Sequence, residues 1–254
     1  MELREFVDRL DGELRTDDYA DVDASANGLQ VETDSEAVDH VAFAVDAAVA
    51  TAAAASEAGA DALVTHHGVV WGGLERLTGE GYRRIAPLVR EDVALYVSHL
   101  PLDGHQRLGN AAGVGDELDL RRRQPFGEVG GETIGQRGRT QEPLSVDEVT
   151  ARLDALPGAT RETQVLDFGP EEIEDVAVVT GSGADWLDAA ARAGVDAFVT
   201  GEGKQQAYHV ARETETNVFL AGHYATETFG VRSLQRLAEE WGLETTYVDH
   251  PTGL

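Results

Sequence analysis

Apolar residues recur along this chain at two alternating periods. Over residues 2–15, Leu3, Phe6, Val7, Leu10 and Leu14 fall on one stripe at helical spacing, the pattern of an amphipathic helix. Past the turn dipeptide Asn27-Gly28 the period shortens, and Leu29-Gln30-Val31 reads as a short strand. Val41-Ala42-Phe43-Ala44-Val45 is an apolar run of strand length, the Ala-rich stretch 47–58 is a helix closed by Gly59, and Ala62-Leu63-Val64-Thr65 is a second buried strand. A helix around 81–91 leads to the strand Ala94-Leu95-Tyr96-Val97-Ser98. Strands alternating with helices predict an α/β fold on a mostly parallel sheet.

The same order returns downstream. Ala58-Gly59-Ala60-Asp61-Ala62-Leu63-Val64-Thr65 reappears as Ala193-Gly194-Val195-Asp196-Ala197-Phe198-Val199-Thr200, an offset of 135, and Val41-Ala42 matches Val176-Ala177 at that offset. An ungapped register across a helix and two strands marks an internal repeat. Two similar α/β lobes are expected, residues 1–123 and 124–254. Residues 120–145, with Arg121-Arg122-Arg123 and then glycine-rich sequence, are expected to join them.

Composition narrows the classes. The 254 residues suffice for one large core or two moderate ones. The absence of Cys excludes disulfides, thiolate metal sites and cysteine nucleophiles. Met1-Glu2-Leu3-Arg4-Glu5-Phe6 lacks the cationic, apolar character of a signal peptide. No apolar stretch reaches the roughly 18 residues of a membrane helix, so a cytoplasmic protein without a membrane partner is expected. Asp and Glu number 47 against 20 Lys and Arg, a net charge of −27 spread along the whole chain, and Lys204 is the only lysine. Such self-repulsion is tolerated where salt shortens the Debye length to about 3 Å at 1 M. That points to a halophilic, archaeal setting, and the same field repels nucleic acid.

The candidate chemistry sits at strand ends. The strand 62–65 runs into His66-His67-Gly68, where open α/β sheets place their ligand crevices. Neighbouring strand residues point to opposite faces, so for both imidazoles to serve one site the chain is expected to leave the strand there, with Gly68 permitting the turn. The second copy carries Gly201-Glu202-Gly203 at the same place. After each copy another strand ends in a histidine with a carboxylate four positions on: His99 with Asp103, and His223 with Glu227. On a helical turn such residues share a face, although Pro101 argues against a regular helix in the first pair. His66, His67, Asp103, His223 and Glu227 together form a nitrogen-and-oxygen ligand set. That is too many for an open zinc site with about three protein ligands. It suits two divalent ions about 3.5–4 Å apart, bridged by a carboxylate. Zinc, iron, manganese and nickel all fit such donors. A bland alternative, carboxylates of an acidic surface and histidines that merely cap a sheet, leaves unexplained why histidines fall at strand ends in both copies.

The motifs also carry a resemblance. Asn27-Gly28-Leu29-Gln30-Val31, Thr65-His66-His67-Gly68, His99-Leu100-Pro101-Leu102-Asp103-Gly104-His105 with Gly109-Asn110, Thr200-Gly201-Glu202 with Gln206 and His209, and Gly222-His223-Tyr224-Ala225-Thr226-Glu227 occur in this order. In them the chain resembles the compact archaeal and bacterial form of the Nif-three-like dinuclear metal-centre proteins, often called GTP cyclohydrolase I type 2 homologues. The resemblance implies two similar lobes with a dimetal site between them, metal ligands at His66, His67, Asp103, His223 and Glu227, and a ring-shaped homohexamer whose sites face a central cavity. It also implies that His99 and His105 lie near the metals, in catalytic or substrate-binding roles. Two functions remain open. One is a metal-dependent hydrolase of a nucleotide, GTP ring opening being the family's version, with His99 or His105 shuttling a proton at a reference pKa of about 6.5. The other is a non-catalytic protein that stores or delivers metal. No P-loop or G-x-G-x-x-G fingerprint identifies a base or phosphates.

Overall fold

The structure, a computed structural model, describes residues 1–254. In chain order the elements are α1 (Leu3–Leu14), β1 (Gly28–Val31), β2 (His40–Asp46), α2 (Val49–Glu57), β3 (Ala62–His67), α3 (Gly79–Arg90), β4 (Ala94–Val97) and α4 (Leu100–Gly104). There follow α5 (Asn110–Glu117), β5 (Arg121–Val129), β6 (Glu132–Ser145), α6 (Val146–Asp154), β7 (Gln164–Leu166), β8 (Glu172–Val178), α7 (Leu187–Arg192) and β9 (Ala197–Thr200). The chain closes with α8 (Gln205–Glu213), β10 (Asn217–Leu220), α9 (His223–Thr226), α10 (Thr228–Glu240) and β11 (Glu244–Tyr247). No helix is long and apolar enough to cross a membrane.

Two compact units result. The first comprises Met1–Leu102 and Gly230–His250, the second Asp103–Phe229 and Pro251–Leu254. In the first, the sheet order is β1-β4-β3-β2-β11, with β4, β3, β2 and β11 parallel and β1 antiparallel at the edge. Strands β2, β3 and β4 bury nearly every side chain, as parallel strands covered on both faces do. The stripe of α1 buries Leu3, Phe6, Leu10 and Leu14. In the second unit the order is β5-β6-β8-β9-β10-β7, parallel only through β8, β9 and β10.

The repeat is visible in the ladders. Val41 pairs Ala62 in the first unit and Val176 pairs Ala197 in the second, the same register at the offset of 135. Asp61 Oδ2 accepts the N–H groups of Asp39 and His40 at 2.8 and 2.9 Å, and Asp196 Oδ2 accepts those of Glu174 and Asp175, both at 2.9 Å. The Ala-Gly-x-Asp-Ala signature therefore encodes one device twice. A glycine at φ of 70° or 72° ends the helix, and an aspartate ties the incoming strand to its neighbour.

Several expectations are corrected. Residues 120–145 do not serve as a connector: β5 and β6 pair as an antiparallel hairpin, and β6 pairs β8, so the segment builds two strands of the second sheet. A single division at 123/124 also differs from the compact units, because β11 returns to pair β2. The chain does not leave the strand at the histidines either, since His67 still pairs Asp46. Gly68 instead leaves room for the amide of Gln30, which a Cβ there would overlap. Pro101 does not prevent a helix, because it lies in the first turn of α4, where its missing N–H has no helical partner to lose.

Candidate metal centre

In the first unit β3 carries His66 and His67, and the turn after β4 carries His99. One ring nitrogen from each lies within 4.8 Å of the others. The strand geometry that should separate His66 from His67 is overcome by tilting the rings, whose centroids stand 4.6 Å apart at 47°.

Each imidazole is held through Nδ1 by an oxygen. His66 Nδ1 donates to the Ser98 carbonyl at 2.9 Å, His67 Nδ1 to Asp46 Oδ1 at 2.8 Å, and His99 Nδ1 to Asp23 Oδ1 at 2.9 Å. Because carbonyl and carboxylate oxygens only accept, the proton of each neutral ring lies on Nδ1 and its lone pair on Nε2. That is the arrangement in which partners orient metal-binding histidines.

Asp23 is itself built in. Its side chain is 1% exposed and accepts from Ser25 N, Asn27 Nδ2 and Leu100 N at 2.9, 2.8 and 3.0 Å. Burial alone would raise its pKa, but hydrogen bonds and charge from His99, then Asn27 and Ser25, bring it down to about 2. Asn27 Oδ1 also accepts the His99 N–H at 2.7 Å, so the Asn-Gly dipeptide read as a turn signal is an anchor for His99. Trp71 stands edge-on to His99, with centroids 5.0 Å apart.

The second unit carries carboxylates and one more imidazole. Asp103 is buried, and its Oδ1 accepts from Asn110 Nδ2 at 2.8 Å and Thr180 Oγ1 at 3.1 Å. On α9, His223 Nε2 meets Glu227 Oε2 at 3.1 Å and its Nδ1 meets Glu202 Oε1 at 3.1 Å. Burial alone would lower the His223 pKa, but Glu227 and then Glu202 outweigh it and raise the group to about 9. Glu202 is held below the usual carboxylate range first by the Ser182 hydroxyl and then by His223. Gly181 makes room for this cluster: its φ is +56°, and a Cβ there would overlap Glu227 Oε1.

His105 is built differently. Its Nδ1 accepts backbone N–H groups of Leu108 at 2.9 Å and Arg107 at 3.3 Å. The neutral ring must then carry its proton on Nε2, as a donor.

The structure thus places His66, His67 and His99 in one cluster, and gives Asp103, His223 and Glu227 built environments in the second unit. Sequence reasoning named Glu202 and Asn110 only within motifs and missed what holds the candidate ligands in place: Asp23, Asp46, the Ser98 carbonyl, Glu202, Thr180 and Asn110. The repeat offers a signal for two of them. Asp46 ends β2 and Glu202 follows β9, each in one repeat copy, and Glu202 occupies the place of His67.

A model of the Duf34/NIF3 (NGG1p interacting factor 3) family matches residues 1–252. A Halobacterium salinarum protein named GTP cyclohydrolase 1 type 2 homolog is 56% identical over 255 residues, covering 100% of both chains. A protein of the same name from Archaeoglobus fulgidus is 42% identical over the same coverage. Among solved structures, the protein TTHA1606 from Thermus thermophilus superimposes with a TM-score of 0.89 at 39% identity, over 100% of both chains. The protein ybgI, described as of unknown function, superimposes at 0.90 with 35% identity over 100% of both.

Proposed function

We propose, from the premise that this chain belongs to the Duf34/NIF3 family, that it is a dinuclear metalloprotein acting as a hydrolase on a nucleotide-like substrate. In this reading His66, His67, Asp103, His223 and Glu227 would hold two divalent cations. The observation that carries it is the tautomer pattern. Three imidazoles are oriented by oxygens on Nδ1, which suits Nε2 ligation.

The donor set fits the group. It contains nitrogen and oxygen and no sulfur, as zinc, iron, manganese and nickel accept. His223 supplies a further argument: a proton held up to about pH 9 between two carboxylates occupies a place built for positive charge. When bound, the cations would polarise the substrate and lower the pKa of water at the site.

The chain's own residues have distinct tasks. Asp46 and Glu202 orient His67 and His223. The buried Asp23 carboxylate holds His99 through Nδ1 and leaves the ring lone pair on Nε2, which suits His99 to act as base. His105, with its proton on Nε2, suits the complementary role of acid. The nucleotide reading draws on the names of the relatives. Ring assembly of several copies draws on the family resemblance, and the net charge of −27 disfavours nucleic acid.

A metal-delivery role is the second reading. It is favoured by His99 standing in the same cluster as His66 and His67, where a third imidazole can saturate a cation. One experiment separates the two. Protein loaded with zinc, manganese, iron or nickel is assayed against GTP and other nucleotides, with product identification. As a hydrolase, His66→Ala and His223→Ala abolish turnover, while His99→Ala and His105→Ala keep metal and slow it by about 10²–10⁴-fold. Equal background rates in all five proteins end the hydrolase reading for those substrates. Altered metal exchange in the His99 variant would then support delivery.

A further inference from the structure

The hairpin of β5 and β6 is a positive stretch of an acidic chain. Its five arginines, Arg121, Arg122, Arg123, Arg137 and Arg139, stand against Glu128, Glu132 and Glu142, while the whole chain carries −27. Three of the five are matched: Arg121 with Asp119, Arg123 with Asp116, and Arg139 with Glu174 and Asp175. Arg137 Nη2 donates instead to the neutral Gln124 amide at 3.1 Å. Neither Arg122 nor Arg192, at the end of α7, pairs with a carboxylate. Among 47 acidic residues, guanidinium groups left without one are the exception that needs a reason.

These groups converge on a cleft. Residues alternate across a strand, so Thr133 and Arg137 of β6 share a face, and the pairing of Gln124 with Arg137 and Phe126 with Gly135 brings β5 onto it. The other face of β6 is closed, with Ile134 and Gln136 buried. Across the open face stand the helical turn Gly183–Trp186 and α7. Together they enclose about 550 Å³, lined by Phe126, Thr133, Arg137, Trp186 and Arg192, a volume suited to a small ligand. Arg137 also borders the adjoining groove that holds Arg122. There a β-bulge sets Arg122 at φ 52°, the kind of irregularity that re-aims a side chain.

The indole is fixed in the wall from two sides. Trp186 Nε1 donates to the Glu128 carbonyl at 3.3 Å. Gly127, at φ +72°, leaves the ring room, since a Cβ there would stand 3.3 Å from Trp186 Cδ1. Of the carboxylates at the cleft, Asp185 is paired with Lys204, which leaves Glu128. None of the candidate metal ligands lines it.

We propose that this cleft is a second ligand site, which takes a small molecule bearing a phosphate group and a planar ring. Arg137 and Arg192 grip the phosphate, because a guanidinium fork matches phosphate oxygens and two such groups answer a charge near −2. The ring lies on the indole of Trp186. A cleft of this size in so acidic a chain admits an anion of mononucleotide size rather than a nucleic acid strand. The inference does not rest on metal ligation.

Equilibrium dialysis of the metal-loaded full chain in about 1 M KCl tests it, with AMP and ribose phosphate as probes; contacts inside a cleft are screened less than exposed ones. The expected result is one AMP per chain that persists in His66→Ala, whereas an AMP held by the metal centre would be lost there. Ribose phosphate, which lacks the ring, should bind about 5–100-fold more weakly. Arg137→Ala/Arg192→Ala should weaken AMP by about 10–100-fold, with metal content and oligomeric mass unchanged. Trp186→Leu should bring AMP to the level of ribose phosphate and leave the sugar phosphate as it was. Arg192→Ala alone, at the exposed end of α7, keeps the test intact should a variant at the sheet fail to fold. No AMP bound by wild type, or equal affinity in wild type and the arginine variants, overturns the site. AMP lost in His66→Ala but kept in the arginine variants overturns it as well. A changed mass with unchanged affinity would assign the arginines to a contact between copies, with the same consequence. Equal binding of AMP and ribose phosphate overturns the ring and with it the proposed ligand class.

Discussion

The two copies of the repeat share a backbone device and differ in what they present at its end. In both, an aspartate at the start of the second strand ties down the first strand, at Asp61 and at Asp196. Beyond that point the copies diverge position by position. His67 of the first copy corresponds to Glu202 of the second, and Asp46 to Gly181. In the first copy the carboxylate on β2 holds the imidazole on β3. In the second, the carboxylate follows β9 and holds an imidazole on α9, while the place of Asp46 is emptied to a glycine that leaves room for Glu227. The holding carboxylate has thus moved from the end of the first strand of the pair to just past the end of the second. A duplicated scaffold thus keeps its folding residues in register and presents different side chains at its strand ends.

The largest test of that contrast is Glu227→Ala. If the buried Glu227 carboxylate bridges, the variant loses more than one of about two bound ions per chain, by elemental analysis of protein purified without chelator. Full metal content would remove the bridge from the second copy.

Gly181→Ala should come next. The new methyl group overlaps Glu227 Oε1, and the φ of +56° adds strain, so metal retention should fall sharply. Gly194→Ala is the control: at φ +72° with open space around it, it costs only about 1–2 kcal/mol of stability and keeps its metal. Equal metal content in the two variants would show that Gly181 is no cradle.

The two holders give a smaller effect. Asp46→Asn and Glu202→Gln should each weaken metal affinity by about 10–100-fold, read by competition with a chromogenic chelator. An effect in only one of them would show that the two carboxylates are not equivalent holders.

The pH dependence is asymmetric as well. His223 is raised from 6.5 to about 9. In chelated protein its contribution to stability is therefore fully present below pH 6.5 and lost as pH rises through about 9. Metal must displace that proton, so metal affinity should climb over the same interval. Melting of chelated wild type and His223→Gln between those limits checks the sign; parallel curves would refute it.

The shared device should give the smallest and most symmetric result. Asp61→Asn and Asp196→Asn each weaken two hydrogen bonds to a carboxylate and should cost about 1–2 kcal/mol apiece, in denaturant melts. Unequal losses would mean that the copies match in sequence but not in energy.

The sequence by itself determined the local elements and the repeat. Apolar period is a property of neighbouring residues, so α1, β2, α2, β3 and α3 could be placed within a few residues of where they form. The offset of 135 survived because the same turn glycine and strand-tying aspartate are needed wherever that unit folds. The candidate ligand residues could also be named from the sequence, since histidine and carboxylate at strand ends are chemically conspicuous. What only the tertiary structure decided were pairings with no local signature. The arginine-rich stretch 121–145 joins a sheet because β8 offers it an edge, and β11 returns to β2 across some two hundred residues. Gly68 and Gly181 look like turn residues in the sequence, yet one makes room for Gln30 and the other for Glu227. Asp23 is one of 47 acidic residues, and nothing in its neighbours marks it as the buried partner of His99, 76 positions away. A hydrogen bond at that separation is set by the packing of strands, and packing is the information that a single sequence does not state.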